Sequence, residues 1–354
     1  MYNNVFETAS EEIETTRSII KVHDKLRELQ SITTDNLPSS FTELIEILPK
    51  RGNWTVYEHC SVITRLYSIY ESFVESIIHE WIDRLPLIVT DYSQLDEIIR
   101  RSHAANIGEL LTKMCNRKDD FKDISVKDTL EGLYQGVSGN RNYQLLRGAF
   151  SAHEQNLRKD ILEELFREAG IHDHCWAWVQ KHPKVIKIIT DRESTEARTR
   201  DTETRLRDFV QDRNEAAHGK VTTDKSGLLN SKLLLELCDF IEVICLSLSE
   251  LVRYKTLDKQ KQYNLVQQIG KIKRFRDKIQ VAEVIFEEDI NILVGEEIYL
   301  IRDGDCNECQ IAIIDNIRID GTDRQDAIVN NNIKVEIKLN ILTKEKAKIY
   351  RVCK

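Results

Sequence analysis

Arg205-Leu-Arg-Asp-Phe-Val-Gln-Asp-Arg-Asn-Glu-Ala-Ala-His-Gly219 is the stretch from which the fold can be read. Its apolar residues Leu206, Phe209, Val210, Ala216 and Ala217 recur at helical spacing, and Gly219 is suited to end the helix at C′. At the end of this expected helix stand Arg213, Asn214 and His218. A guanidinium can hold two oxyanion oxygens, a carboxamide can orient a neighbour, and an imidazole can move a proton near neutral pH. Five steps of about 100° leave Arg213 and His218 about 140° apart around an ideal helix axis. They converge only if the last turn unwinds at His218-Gly219 or if two copies of the helix meet across a dimer.

Working outward, the polar loop Lys220–Gly227 is short, and Asn230–Tyr254 is the next long helix, so the two helices should be antiparallel neighbours. That places His218 at an exposed turn. Upstream, Thr55–Leu85 carries Val62, Leu66, Ile69, Tyr70, Phe73, Ile77 and Trp81 at three- and four-residue spacing and should be a core helix ended by Pro86. Residues 9–33 are expected to be helical with Ser10 as N-cap and Ile13, Ile19, Ile20, Leu26 and Leu29 as the apolar set. Ser40–Leu48 follows, then a turn at Pro49–Asn53. Ser93–Cys115 and Val126–Tyr134 read as helices, a Gly-rich break covers Gln135–Asn140, and Arg141–Ala169 reads as one further helix. Gly170–His182 is expected to be a loop with a short helix, and Lys184–Thr190 is apolar.

After about Gln268 the period changes from helical to alternating. Val281–Phe286, Glu297–Ile301, Cys309–Arg318, Ile333–Leu339 and Ala347–Val352 are Ile- and Val-rich strands separated by turn signals at Asp303-Gly, Asp320-Gly and Asn330–Asn332. Five or six short strands in so few residues predict a small β-barrel. No internal repeat or low-complexity tract is present.

The chain has 354 residues, 41% of them hydrophobic and 31% charged, with only 4 Pro and 13 Gly, which predicts a helix-rich protein of more than one domain. Met1–Glu14 is acidic and polar rather than a signal segment. The apolar run Leu233–Leu251 is interrupted by Glu236, Asp239, Glu242 and Glu250, so no membrane span and a cytoplasmic location are expected. Cys60, Cys238 and Cys245 sit in apolar helical contexts, as reduced core residues do. A net charge of −8 excludes indiscriminate nucleic-acid binding over the whole surface but not binding in a local Arg-lined cleft.

Arg213-Asn-x-x-x-His218, with small residues before the His and Gly after it, resembles the R-x4-6-H signature of HEPN domains, within them the RiboL-PSP or MAE-like branch. Leu66–Glu75, with its Tyr70-Glu71 pair, looks like that branch's first core helix, and the likeness spans roughly residues 54–255. The C-terminal strand order looks like the second-domain barrel of translation GTPases. The expected fold is therefore mainly α: a HEPN-type helical bundle over 51–268, an N-terminal helical extension over 1–50, and a small C-terminal β-barrel over 269–354.

The resemblance implies RNA cleavage without metal or cofactor, by attack of a 2′-hydroxyl on the adjacent phosphate. His218 would act as general base, general acid or both, Arg213 would offset charge on the phosphate, and Asn214 would fix the imidazole or a phosphate oxygen. Tyr70, Glu71 and Arg205 would bind substrate. HEPN nucleases typically dimerise so that two such sets face one cleft, which implies a homodimer, an RNA substrate and an antitoxin or defence-system partner protein. A non-catalytic HEPN-like adaptor for RNA or protein is the rival, and a purely structural helical adaptor is a second.

Other clusters point to chemistry less well. Ile171-His-Asp-His-Cys175 with His182 matches no zinc spacing, and Cys306-Asn-Glu-Cys309 is a lone C-x-x-C. Arg192, Arg198, Arg200, Arg205 and Arg207 are interleaved with Glu193, Glu196, Asp201, Glu203, Asp208, Asp212 and Glu215, as on a solvated ion-pairing face. No phosphate-binding loop, dinucleotide fingerprint or nucleophile elbow occurs, which disfavours nucleotide hydrolysis and serine-hydrolase chemistry.

Overall fold

Helix formers at three- and four-residue spacing carry the chain up to Gln262, and β-branched alternation takes over beyond it. The computed structural model describes residues 3–30, 39–116, 125–139, 143–151, 155–190, 202–218, 227–287, 289–302, 308–329 and 333–353. In order these form α1 (Asn3–Leu29), α2 (Ser39–Ile47), α3 (Arg51–Ile88), α4 (Glu97–Asn116), α5 (Val126–Val137) and α6 (Gly148–Ser151). Then come α7 (Lys159–Glu168), α8 (Cys175–Lys181), α9 (Pro183–Thr190), α10 (Thr202–Ala217) and α11 (Ser231–Gln262). The strands are β1 (Val266–Arg276), β2 (Val281–Phe286), β3 (Ile290–Leu293), β4 (Glu297–Arg302), β5 (Glu308–Ile319), β6 (Thr322–Arg324), β7 (Asp326–Val329), β8 (Val335–Leu339) and β9 (Lys348–Val352). A mainly helical protein with a C-terminal barrel is what the residue pattern predicts.

The chain forms two compact units, one of Met1–Glu80, Phe150–Glu168 and His172–Ser247, the other of Trp81–Ala149, Ala169–Ile171 and Leu248–Lys354. These cut within α3 and α11, whereas the division expected at residues 50 and 268 follows element type. In the first unit, α1 buries Ile13 and Ile20, α3 buries Leu66, Tyr67, Phe73 and Ile77, α10 buries Leu206, Phe209 and Val210, and α11 buries Leu234, Phe240, Ile241 and Ile244. Each fully buried side chain of this size contributes about 1.5–3 kcal/mol relative to exposure. Ionic ties fix α1. Arg17 reaches Asp239 and Glu242 at 2.8 and 2.5 Å, and Arg27 holds the buried Glu58 at 2.6 Å with the Trp54 ring 5.7 Å from its guanidinium carbon.

In the second unit, Trp81 Nε1 donates to the Ala169 carbonyl at 2.8 Å and Tyr143 Oη to the Val89 carbonyl at 2.6 Å. The barrel is antiparallel throughout. β1 pairs with β2 and β9, β8 with β2 and β5, and β4 with β5 and β9, so six strands close a ring. β6 extends β5 through Asp320-Gly321, both with positive φ, and β3 pairs with β7 as a separate ribbon. Alternation works as expected: Ala282, Val284 and Phe286 of β2 and Val335, Ile337 and Leu339 of β8 face the core. At Gly270 a Cβ would lie 2.6 Å from the Ile285 carbonyl oxygen, so the close β1–β2 approach there requires glycine, at the point where the β1–β9 pairing shifts register between Gln268 and Gly270.

Several local expectations are corrected. α1 starts at Asn3, so Ser10 is not its N-cap; its hydroxyl instead donates to Glu242 Oε1 at 2.5 Å. Ile19 lies on the solvent side of α1, not in the apolar set. α3 begins inside the predicted turn, at Arg51, and continues past Pro86, with the Val89 N–H bonded to the Leu85 carbonyl at 2.8 Å. Pro86 removes one backbone bond in a last turn that burial of Leu85 and Ile88 still holds. Arg141–Ala169 is not one helix: residues 155–158 are a bend and irregular chain between α6 and α7. β1 begins at Val266, before the expected change of pattern, and β3, β6 and β7 were not anticipated.

Candidate active site

The site grows from α3, α10 and the segment before α7, all within the first unit. Leu206, Phe209 and Val210 bury one face of α10, and the Phe209 ring centroid lies 6.1 Å from that of Tyr67 on α3. One turn beyond Phe209, Arg213 lays its guanidinium over the Tyr67 ring, 4.5 Å from carbon to centroid. Such stacking contributes about 0.5–2 kcal/mol, more as water is excluded.

Amide and guanidinium groups then form a closed set. Arg213 Nη1 donates to Asn156 Oδ1 at 2.9 Å and to Asn214 Oδ1 at 3.2 Å, and Asn156 Nδ2 donates to Asn214 Oδ1 at 3.0 Å. Beneath them the Tyr67 hydroxyl donates to Glu71 Oε1 at 3.1 Å and accepts the Leu157 N–H at 3.0 Å. Burial pushes the Tyr67 phenol up to about 12; the Glu71 carboxylate reinforces this, while the Leu157 N–H and Arg213 oppose it. Tyr67 therefore stays protonated at neutral pH and serves as platform and tether rather than base.

The sequence candidates fall into distinct places. Arg213 and Asn214 meet as described, both half-buried. Glu71 is half-buried beneath them, bonded to Tyr67. His218 is exposed, and its N–H bonds the Asn214 carbonyl at 3.1 Å. Helical hydrogen bonding therefore reaches His218, preserving the spacing that sets it apart from Arg213; Gly219 lies outside the described residues. Among the described residues, the His218 ring has no hydrogen-bond partner.

Two substrate-binding expectations are corrected. Tyr70 is 0% exposed, facing the core, and its hydroxyl has no hydrogen-bond partner among the described residues. The tyrosine beside Arg213 is Tyr67, almost one turn earlier on α3. Arg205 is 7% exposed and works inside the fold, donating from Nη2 to the Glu236 carbonyl at 2.7 Å and stacking 4.3 Å from the Phe240 centroid. The sequence reading missed Asn156 because it drew an unbroken helix through it. The signal was present in the polar run Ser151–Asn156 followed by Asp160, an acid in the first turn of a new helix.

The remaining clusters do not converge. Cys175 and His182 are buried while His174 points outward, and no group of three or more His, Cys, Asp or Glu among the described residues is arranged to hold a metal ion. Burial raises the Cys175, Cys238 and Cys245 thiols, so they are poor nucleophiles. Cys306 and the run 191–200 lie outside the described residues; Cys309 is buried in β5. No helix is long and apolar enough to cross a membrane, among the described residues.

Among solved structures, the C-terminal domain of a putative U32 peptidase from Geobacillus thermoleovorans aligns at 14% identity over 24% of this chain and 99% of that one. Its TM-score of 0.21 is too low to carry an argument. Comparison with curated proteins gives no match. The family model described as RiboL-PSP-HEPN matches residues 17–254, more than half of the chain, beginning within α1 and including the whole of α3 and α10. With Arg213-Asn-x-x-x-His218 placed at the end of α10 inside that span, the chain belongs to the RiboL-PSP-HEPN family.

Proposed function

We propose that this protein is a metal-independent endoribonuclease that acts as a homodimer, in a toxin or antiviral-defence setting with an antitoxin or defence-system partner. HEPN membership supports a nuclease or RNA-binding role at the coarser level. The finer reading rests on one observation. Arg213 is half-buried and stacked on Tyr67, yet it pairs with no carboxylate among the described residues, although Asp212 and Glu215 flank it on the same helix. A guanidinium held this way, its charge unspent, suits an oxyanion.

In the reaction, His218 takes the proton of a ribose 2′-hydroxyl, whose oxygen attacks the adjacent phosphorus. Arg213 offsets charge on the non-bridging oxygens. The 5′-oxygen leaves and takes a proton from a second His218, that of the other copy, which enters the step as the imidazolium, giving a 2′,3′-cyclic phosphate and a 5′-hydroxyl. A second reading, a non-catalytic adaptor for RNA or protein, is favoured by the separation of His218 from Arg213 within one chain.

Expression of wild type and His218→Ala in cells, with growth and RNA integrity followed, separates the two. The nuclease predicts fragmented RNA and arrested growth only with the wild type, and cleavage by the purified protein that persists in EDTA. Intact RNA with both proteins, in cells and with purified protein alike, leaves the adaptor reading.

A further inference from the structure

We propose that Asn156, outside the family motif, is a positioning residue that turns Arg213 and Asn214 into a donor-only cradle for one phosphate of a nucleic-acid backbone. The proposal deepens the nuclease reading by assigning the ligand of the same site, and its phosphate-binding part does not require that cleavage occur.

A guanidinium has no acceptor, so the atoms of Asn156 and Asn214 that face Arg213 Nη1 must both be amide oxygens. That fixes the two carboxamide orientations by chemistry. Asn156 Nδ2 then donates to Asn214 Oδ1, which now receives two donors, at 3.2 and 3.0 Å. Both amide oxygens are thus turned inward. What remains on the open side is the Nε–Nη2 edge of Arg213 and the Nδ2 group of Asn214. Neither has a hydrogen-bond partner among the described residues, and all of these N–H groups are donors. Half-buried donors around an unpaired positive charge match the non-bridging oxygens of a phosphodiester and reject a cation or a neutral acceptor-poor ligand.

Asn156 is itself held from below. Leu157 is 0% exposed, its N–H bonds the Tyr67 hydroxyl at 3.0 Å, and the Arg158 N–H bonds the Asn156 carbonyl at 2.7 Å. The side chain therefore meets Arg213 from a backbone anchored to the same tyrosine that carries the guanidinium. Without Asn156, only the 3.2 Å bond from Arg213 is left to hold the Asn214 oxygen inward, and the amide is more easily turned to present that oxygen to the ligand.

The test uses the full chain and a 2′-O-methyl RNA oligonucleotide, which cannot be cleaved, with affinity measured over a range of salt. Asn156→Asp keeps the size but places a carboxylate against Arg213. The expected result is a loss of affinity of about tenfold and a shallower salt dependence, by about one phosphate contact. Asn156→Ala removes the amide without adding charge and should lower affinity by a smaller factor at unchanged salt slope. A merely structural role would not separate the two variants in this way.

If Asn156→Asp fails to melt cooperatively, Asn156→Ala decides alone. Wild-type affinity in a folded Asn156→Ala, or wild-type affinity and slope in a folded Asn156→Asp, overturns the proposal. Inorganic phosphate at matched ionic strength is the competitor: no displacement is expected, and displacement would reassign the cradle to a free anion and overturn its nucleic-acid part. His218→Ala keeps the failures apart. A cleavage-negative wild type whose Asn156 variants still lose binding would remove the nuclease reading alone.

Discussion

Two arginines on α10, Arg205 and Arg213, show how neighbours decide what a side chain does. Both lie on an aromatic ring, Phe240 and Tyr67 respectively. Arg205 is sealed in and bonded to a backbone carbonyl, so it braces α10 against α11, whereas Arg213 keeps an open edge. His103 on α4 shows the same principle for a titrating group. It is 0% exposed, its Nε2 accepts the Leu146 N–H at 3.3 Å, and its Nδ1 meets the Tyr92 hydroxyl at 3.2 Å. Burial lowers it to about 4. An unfolded imidazole takes up its proton below about 6.5, where the folded one still refuses it. The stability this contributes is therefore complete above about 6.5 and lost as pH falls toward 4, on the order of 3 kcal/mol over that window. Urea unfolding at pH 7 and pH 4.5 should show this acid loss in wild type and a clearly smaller one in His103→Gln; equal losses in the two proteins would contradict it.

At the level of elements, glycine placement and helix breaks carry the consequences. Gly270→Ala puts a methyl carbon 2.6 Å from the Ile285 carbonyl oxygen, backbone against backbone, so β1 must move away from β2. We expect destabilisation of about 1–3 kcal/mol, read as a lower melting temperature; an unchanged melting point would mean that the strands give way freely. The elements most legible in the sequence were those with a clean period: α2, α11, β2 and β8. β1 was harder, because Lys271, Lys273, Arg274 and Arg276 dilute its apolar residues and a register shift between Ile272 and Arg274 breaks the alternation. Arg213 and Asn214 were legible through the Arg-Asn-x-x-x-His spacing and its resemblance to the HEPN signature. Asn156 was not, since what gives it meaning is Tyr67, 89 positions earlier in the chain, and no local pattern encodes that encounter. The Tyr70-Glu71 pair points to Tyr70 through its resemblance to the family's first core helix, and only packing tells that the ring under the guanidinium is Tyr67.

For the whole molecule, the proposed nuclease reading, with His218 set apart from Arg213 along the helix, predicts that a second copy completes the site. Co-expression of wild-type and His218→Ala chains under different tags, followed by isolation of the mixed dimer, tests this. One of the two imidazoles is then missing, so the mixed dimer should cleave RNA at background although it holds one intact chain; about half of the wild-type cleavage in a verified mixed dimer would mean that each chain works by itself. The β-barrel has its own bearing on assembly. Apart from the three-residue β6 and the β3–β7 ribbon, its six strands complete a ring. No visitor can be recruited there by lending a strand, and copies cannot trade one without tearing the ring open. Any contact with those six strands is made by side chains, and backbone pairing is left to β6 and the β3–β7 ribbon.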